Sequence, residues 1–124
     1  MSLVCKEMSA LLPREQCQVS TLEDPVIRCK NCGGIITRPS CQIQMDNAFS
    51  HAFANPHGHV FVIGCFDDAP GCVAASPPSS EFSWFKGYDW NVGVCHGCDI
   101  HLGWIFRSDQ DLFFGLILDK LIFP

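Results

Sequence analysis

From "VIRCKNCGGII" (residues 26–36) to the C-terminus, short apolar runs alternate with Gly, Pro, Asn and Asp. This is the rhythm of strands joined by tight turns, not of helices, whose apolar stripe recurs every three to four positions. The pattern predicts strands over residues 48–54, 59–65, 91–95, 100–107 and 112–118. "HGHVFVIGC" and "DIHLGWIFR" concentrate β-branched and aromatic residues, which pack well on a pleated surface. Gly103, inside the second run, predicts a bulge or a close backbone approach. The fold class is therefore mostly β, and antiparallel. "DDAPGCVAASPPSSE" (67–81) reads as one long turn-rich connection, and a connection of that length in a small domain is commonly a binding loop. Residues 1–24 read as an N-terminal arm and residues 25–124 as the domain.

Composition narrows the function classes. A chain of 124 residues suits one domain with a real core, and 48% hydrophobic with 17% charged residues is globular. No apolar run reaches the roughly 18 residues of a membrane helix. The N-terminal "MSLVCKEMSALLPREQ" has charges inside its apolar stretch and no secretory h-region, so a soluble, cytoplasmic protein is expected, with no membrane partner. A formal charge of −5, with the eight Lys and Arg scattered, argues against nucleic acid, whose phosphates are held by clustered cations.

Nine cysteines in a reducing compartment point to metal more than to disulfides. Cys29-Lys-Asn-Cys32, followed by Gly33-Gly34, and Cys95-His-Gly-Cys98 form two knuckles. Each spacing aims two thiolates at one ion, turn amides hydrogen-bond the sulfurs, and glycine supplies the open backbone angles. The 62 residues between the knuckles far exceed the roughly 15–20 of a simple ribbon, so most of the fold is inserted between them. Four thiolates leave no position for water, which predicts a structural Zn2+; a redox Cys-x-x-Cys or an iron site is the alternative. Cys5, Cys17, Cys41, Cys65 and Cys72 show no ligand spacing and read as thiols outside the metal set, Cys65 as a small buried hydrophobe. His51, His57, His59, His96 and His101 read as turn or surface residues.

All three tryptophans, Trp84, Trp90 and Trp104, lie within 21 positions. Trp84 and Trp90 flank "FKGYD", where Gly87 invites a tight turn that brings the two indoles face to face. The second knuckle reverses the chain and sets Trp104 on a neighbouring strand, sharing a face with Phe106 by the period of two. Core packing is one reading of the three indoles; a small aromatic box is the other. Such a box suits a cation or a flat neutral ring. For a ring carrying N–H and carbonyl groups, the main chain of Phe82-Ser83-Trp84 is the expected polar partner, each bond worth on the order of 1 kcal/mol net.

"SSEFSWFKGYDWNVGVCHGCDIHLGWIF" resembles the thalidomide-binding domain of cereblon, the CULT domain, and "CKNCGGIIT" and "NPHGHV" resemble its first zinc knuckle and its Asn-Pro-His-Gly loop. The likeness covers about residues 25 to 123. It implies two antiparallel sheets meeting at an angle and pinned by zinc at Cys29, Cys32, Cys95 and Cys98, a β-tent. It implies binding of cyclic imides (glutarimide of thalidomide-type drugs, succinimide, hydantoin) and of uracil-like rings such as uridine. Trp84, Trp90 and Trp104 would form the cage and Phe106 its base. Main-chain groups of Phe82 and Trp84 would hold the imide, Asn55 would reach the ligand's outer carbonyls, and Phe61 would add lining. Cereblon has His where this chain has Phe82, which spares a main-chain bond and changes the rim. The length further suggests a free-standing member of the kind found in bacteria, without the regions through which cereblon joins a ubiquitin ligase.

Three other functions compete. Methionine sulfoxide reductases of the B type share a zinc-pinned β scaffold, but their catalytic Cys lies near the C-terminal strands and no cysteine follows Cys98 here. No Ser/His/Asp set or paired carboxylates stand out, and a non-enzyme is expected. A cage for a quaternary or methylated ammonium would use Glu81 or Asp89 as the balancing charge. Recognition of a cyclic imide at the C-terminus of a damaged protein is the third.

Overall fold

The computed structural model describes residues 25–124. The expected N-terminal arm, with Cys5 and Cys17, lies outside the described residues. The strands are β1 (Ile27–Cys29), β2 (Ile35–Thr37), β3 (Ser50–Ala54), β4 (Val60–Phe66), β5 (Cys72–Ala74), β6 (Asp89–Cys95), β7 (His101–Arg107), β8 (Leu112–Ile117) and β9 (Leu121–Ile122). They form two antiparallel sheets, one of three strands in the order β2-β1-β9 and one of six in the order β3-β4-β8-β7-β6-β5. All five predicted strands are present as β3, β4, β6, β7 and β8. The four others have two or three residues, too few to show an alternation. One of them corrects the reading of residues 67–81 as a single connection, because β5 pairs there with β6 at the edge of the larger sheet.

Side chains on the two faces of the larger sheet go to two cores. Phe66, Leu102, Ile105, Phe114 and Leu116 pack with Ile27, Ile36 and Leu121 of the small sheet. Ile63, Cys65, Phe106, Phe113 and Ile117 gather on the other face with Phe85, and the three tryptophans pack against this second group. Each such apolar side chain, fully buried, is worth about 1.5–3 kcal/mol.

Gly103 fulfils both expectations placed on it. Opposite Gly93/Val94 the register shifts, with Gly93 facing Gly103 and Val94 facing His101. The bulge resets the alternation, so that Leu102 joins one core while His101 and Trp104 share the other face. The backbone here also runs so close to β8 that a Cβ on residue 103 would collide with Gly115 O. No helix among the described residues is long and apolar enough to cross a membrane.

Candidate metal centre and aromatic cavity

Cys29 ends β1, in the small sheet, and Cys95 ends β6, in the large one; Cys32 and Cys98 follow in the turns after them. The four Sγ atoms lie within 4.8 Å of one another, with Cys29–Cys98 at 3.7 Å and Cys32–Cys95 at 3.6 Å. Four thiolates at the usual Zn–S distance of about 2.3 Å on a tetrahedron stand about 3.8 Å apart. The donor set and its spacing are therefore compatible with a zinc ion joining the two sheets.

The two knuckles share a hydrogen-bond scheme. Gly33 N–H donates to Cys29 O at 2.8 Å and Asp99 N–H to Cys95 O at 2.9 Å. Gly34 N–H points to Cys32 Sγ (3.4 Å) and Gly97 N–H to Cys95 Sγ (3.3 Å), so turn amides do serve the sulfurs. One detail differs from expectation. The left-handed residue of the first turn is Gly33 (φ 78°), but in the second it is Asp99 (φ 64°), not Gly97. A short polar side chain tolerates that conformation, and Gly97 serves through its amide.

A cavity of about 390 Å³ opens on the aromatic face of the large sheet, and all three tryptophans line it. Trp104, on β7, meets Trp84 edge to face at 4.7 Å and 72°, Phe61 at 5.0 Å and 76°, and His101 at 4.9 Å and 87°. Trp84 sits in the loop before β6, stacked on Phe53 at 4.9 Å and 14°, and its Nε1–H donates to Ala54 O at 3.1 Å. Trp90 faces Phe106 across the β6–β7 ladder, and its Nε1–H donates to Glu81 O at 2.8 Å. Phe106, 1% exposed, is stacked on Phe113 at 5.0 Å and backed by Phe85 at 4.9 Å. The Phe106 ring is thus held between two neighbouring aromatic rings.

The polar features of the rim come from irregular backbone. Phe82 has φ 56°, which is rare for a bulky residue, and the residue is 73% exposed. Neither the main chain of Phe82 nor the N–H of Trp84 has a hydrogen-bond partner among the described residues. Asn55 Oδ1 accepts the N–H groups of His57 (3.0 Å) and His59 (2.9 Å), an Asx-type turn that leaves only its Nδ2 for other partners.

No protein-family model matches the chain. Its sequence is similar to curated proteins of one kind. It is 36% identical to protein cereblon of Danio rerio over 76 residues (57% of this chain, 18% of that protein) and 33% identical to that of Gallus gallus over 76 residues (57% and 17%). With protein cereblon of Drosophila willistoni it shares 32% over 108 residues, 78% of this chain and 17% of that protein. The chain carries a cereblon-like CULT domain. It spans 17–18% of the length of these relatives.

Within this CULT domain, Asn55, Phe61, Phe82, Trp84, Trp90, Trp104 and Phe106 all line the cavity. Ser83 lies between two lining residues, with its hydroxyl donated to Phe85 O at 3.1 Å. Pro56, Ser79, Val92 and His101 line it as well. Val92 follows from Trp90 by the period of two, whereas Pro56 and Ser79 arrive from loops that carry no periodic signal. His101 corrects the surface reading of the histidines: it is half-buried against Trp104 and Phe61, its Nε2 donates to Gly103 O at 3.0 Å, and burial holds its pKa below the usual histidine value. His51 is also half-buried, between Phe53 and Phe85, with Nε2 donating to Met45 O and Ala48 O. Of the two carboxylates considered for a cation, Glu81 lines the cavity, whereas Asp89 lies in a separate polar recess with Arg107 and Asp109.

Proposed function

We propose that the domain is a zinc-stabilised, non-catalytic module that closes three indoles around a small planar imide or uracil-like ring. The observation that carries this reading is the coincidence of a cavity lined by Trp84, Trp90, Trp104 and Phe106 with main-chain groups at Phe82 and Trp84 beside it that have no hydrogen-bond partner among the described residues. A ring with one N–H between carbonyls matches this supply: its N–H gives to a main-chain carbonyl, its carbonyl takes a main-chain N–H, and its faces lie on apolar rings. Asn55 Nδ2 is the donor for a carbonyl further out. Glutarimide, succinimide, hydantoin and uridine all present this chemistry, as does a cyclised imide at the C-terminus of a protein. A ligand of about ten heavy atoms buries little surface, so affinity in the micromolar range is expected.

Zinc at Cys29, Cys32, Cys95 and Cys98 has a structural role in this reading: four thiolates complete its shell. In the cytoplasm Cys41, Cys65 and Cys72, all buried, remain thiols. The test is quenching of indole fluorescence on titration with uridine, succinimide, thalidomide and choline. Saturable quenching by the first three and none by choline is expected. Choline binding in their place would assign the cavity to ammonium groups, with Glu81 as counter-charge.

A further inference from the structure

One wall of the cavity, Ser79, Glu81 and Phe82, belongs to the segment after β5. That segment has few means of joining a ladder, because Pro77 and Pro78 have no N–H to donate. The pairing register accordingly slips by two residues: Ala75 N–H donates to Val92 O at 2.8 Å, but Ser79, not residue 77, exchanges both main-chain bonds with Trp90 at 2.8 Å each.

Side chains span the slip. Ser76 Oγ accepts the Val92 N–H at 2.8 Å, where a regular ladder would use a carbonyl. Asn91 Nδ2 donates to Ser76 O at 2.8 Å. Asn91 is 5% exposed, and its amide is held one way round because Arg107 Nε, which can only donate, gives its hydrogen to Oδ1 at 2.8 Å. Beyond the slip, Glu81 N–H donates to Ser79 Oγ at 3.1 Å, and Glu81 O receives the Trp90 indole. The alternation of β6 sends Asn91 to the face opposite Trp90, and neither Asn91 nor Ser76 lines the cavity.

We propose that Asn91 and Ser76 are positioning residues, a clasp that seats the 79–82 wall against β6 so that Trp90 and the Phe82 main chain meet a ligand already ordered. This rests on the ring-binding reading of the cavity. Without the clasp, the cost of ordering the wall falls on binding.

Two substitutions separate the clasp from the fold. Asn91→Asp keeps an acceptor for Arg107 and deletes the donor to Ser76 O; Ser76→Ala deletes the acceptor for Val92 N–H. In the zinc-loaded full chain, losing one such bond is expected to lower affinity for uridine and succinimide about tenfold. Without ligand, amide exchange at Ser79, Glu81 and Trp90 is expected to quicken by about the same factor, with the knuckle amides of Gly33 and Asp99 unmoved. Ser76→Thr, which keeps the hydroxyl, is expected to restore both. Parental affinity in Asn91→Asp and Ser76→Ala, or unchanged exchange at the wall, overturns the clasp. Should Asn91→Asp fail to load zinc, the Ser76 pair decides alone. A parental chain that binds neither probe overturns the ring-binding reading instead, and ligand-free exchange still judges the clasp.

Discussion

The indoles of Trp84 and Trp104 meet edge to face, with ring centroids 4.7 Å apart and planes at 72°. Two aromatic walls at that angle make a corner, and the cavity occupies it. One ring comes from a loop and the other from β7, so the corner exists only when the loop is docked. The Phe53 stack and the Trp84 Nε1–H bond to Ala54 O dock it onto β3.

Removing either wall should empty the corner without unpinning the sheets. Trp84→Ala and Trp104→Ala are expected to lose measurable binding of uridine and succinimide while retaining one equivalent of zinc by elemental analysis. Parental affinity in both variants would end the cage assignment.

The candidate metal centre makes the opposite prediction. Structural zinc contributes roughly 10–16 kcal/mol in small metal-folded peptides, comparable to the roughly 5–15 kcal/mol total stability of an ordinary domain. Cys29→Ser, or a strong chelator, is therefore expected to unfold the domain, seen as loss of near-ultraviolet circular dichroism, with recovery when zinc is returned to the chelated protein. A domain that keeps its melting transition after zinc has been stripped would refute the structural role.

Two buried thiols set an alkaline limit. Burial first, with Asp46 nearby, pushes the Cys65 thiol up from 9.0 to about 12, and burial followed by Cys95 does the same for Cys72. A thiol with a raised folded pKa stabilises fully below the unfolded value of 9.0, and that contribution is lost as pH rises toward about 12. Stability in urea should thus fall above pH 9, with Cys65→Ala showing a smaller fall. Iodoacetamide should leave Cys65 untouched at pH 8 until denaturant is added.

Gly103 tests the approach of β7 to β8. Gly103→Ala would drive a methyl group into Gly115 O. Overpacking of this kind typically costs 1–3 kcal/mol, which thermal unfolding should report as a lowered melting temperature. An unchanged transition would show that the bulge can absorb the added carbon.

The parts of the molecule visible in sequence are those carried by local period or fixed spacing. The long strands β4, β7 and β8 declare themselves by runs of β-branched and aromatic residues, and the two Cys-x-x-Cys pairs by a spacing that few other chemistries require. The candidate aromatic cage follows from the tryptophan spacing and the CULT resemblance together. Strands of two or three residues, such as β2 and β9, have no period to read. Their place depends on the core they cover, where Ile36 and Leu121 meet residues distant in sequence.

What the sequence determined by itself was which side chains are available to a site: four thiols in two knuckles, three indoles around two turns, and Phe82-Ser83-Trp84 beside them. Only the tertiary structure decided where they stand. The bulge at Gly103 turns His101 into the cavity, Asp99 takes the left-handed place in the second knuckle, Glu81 joins the wall while Asp89 is left outside it, and Asn91 reaches across a two-proline slip to Ser76. Apart from the Asp99 turn, these depend on the register in which β6 pairs with its neighbours. A shift of one residue there exchanges one face for the other, and the residue types alone do not encode it.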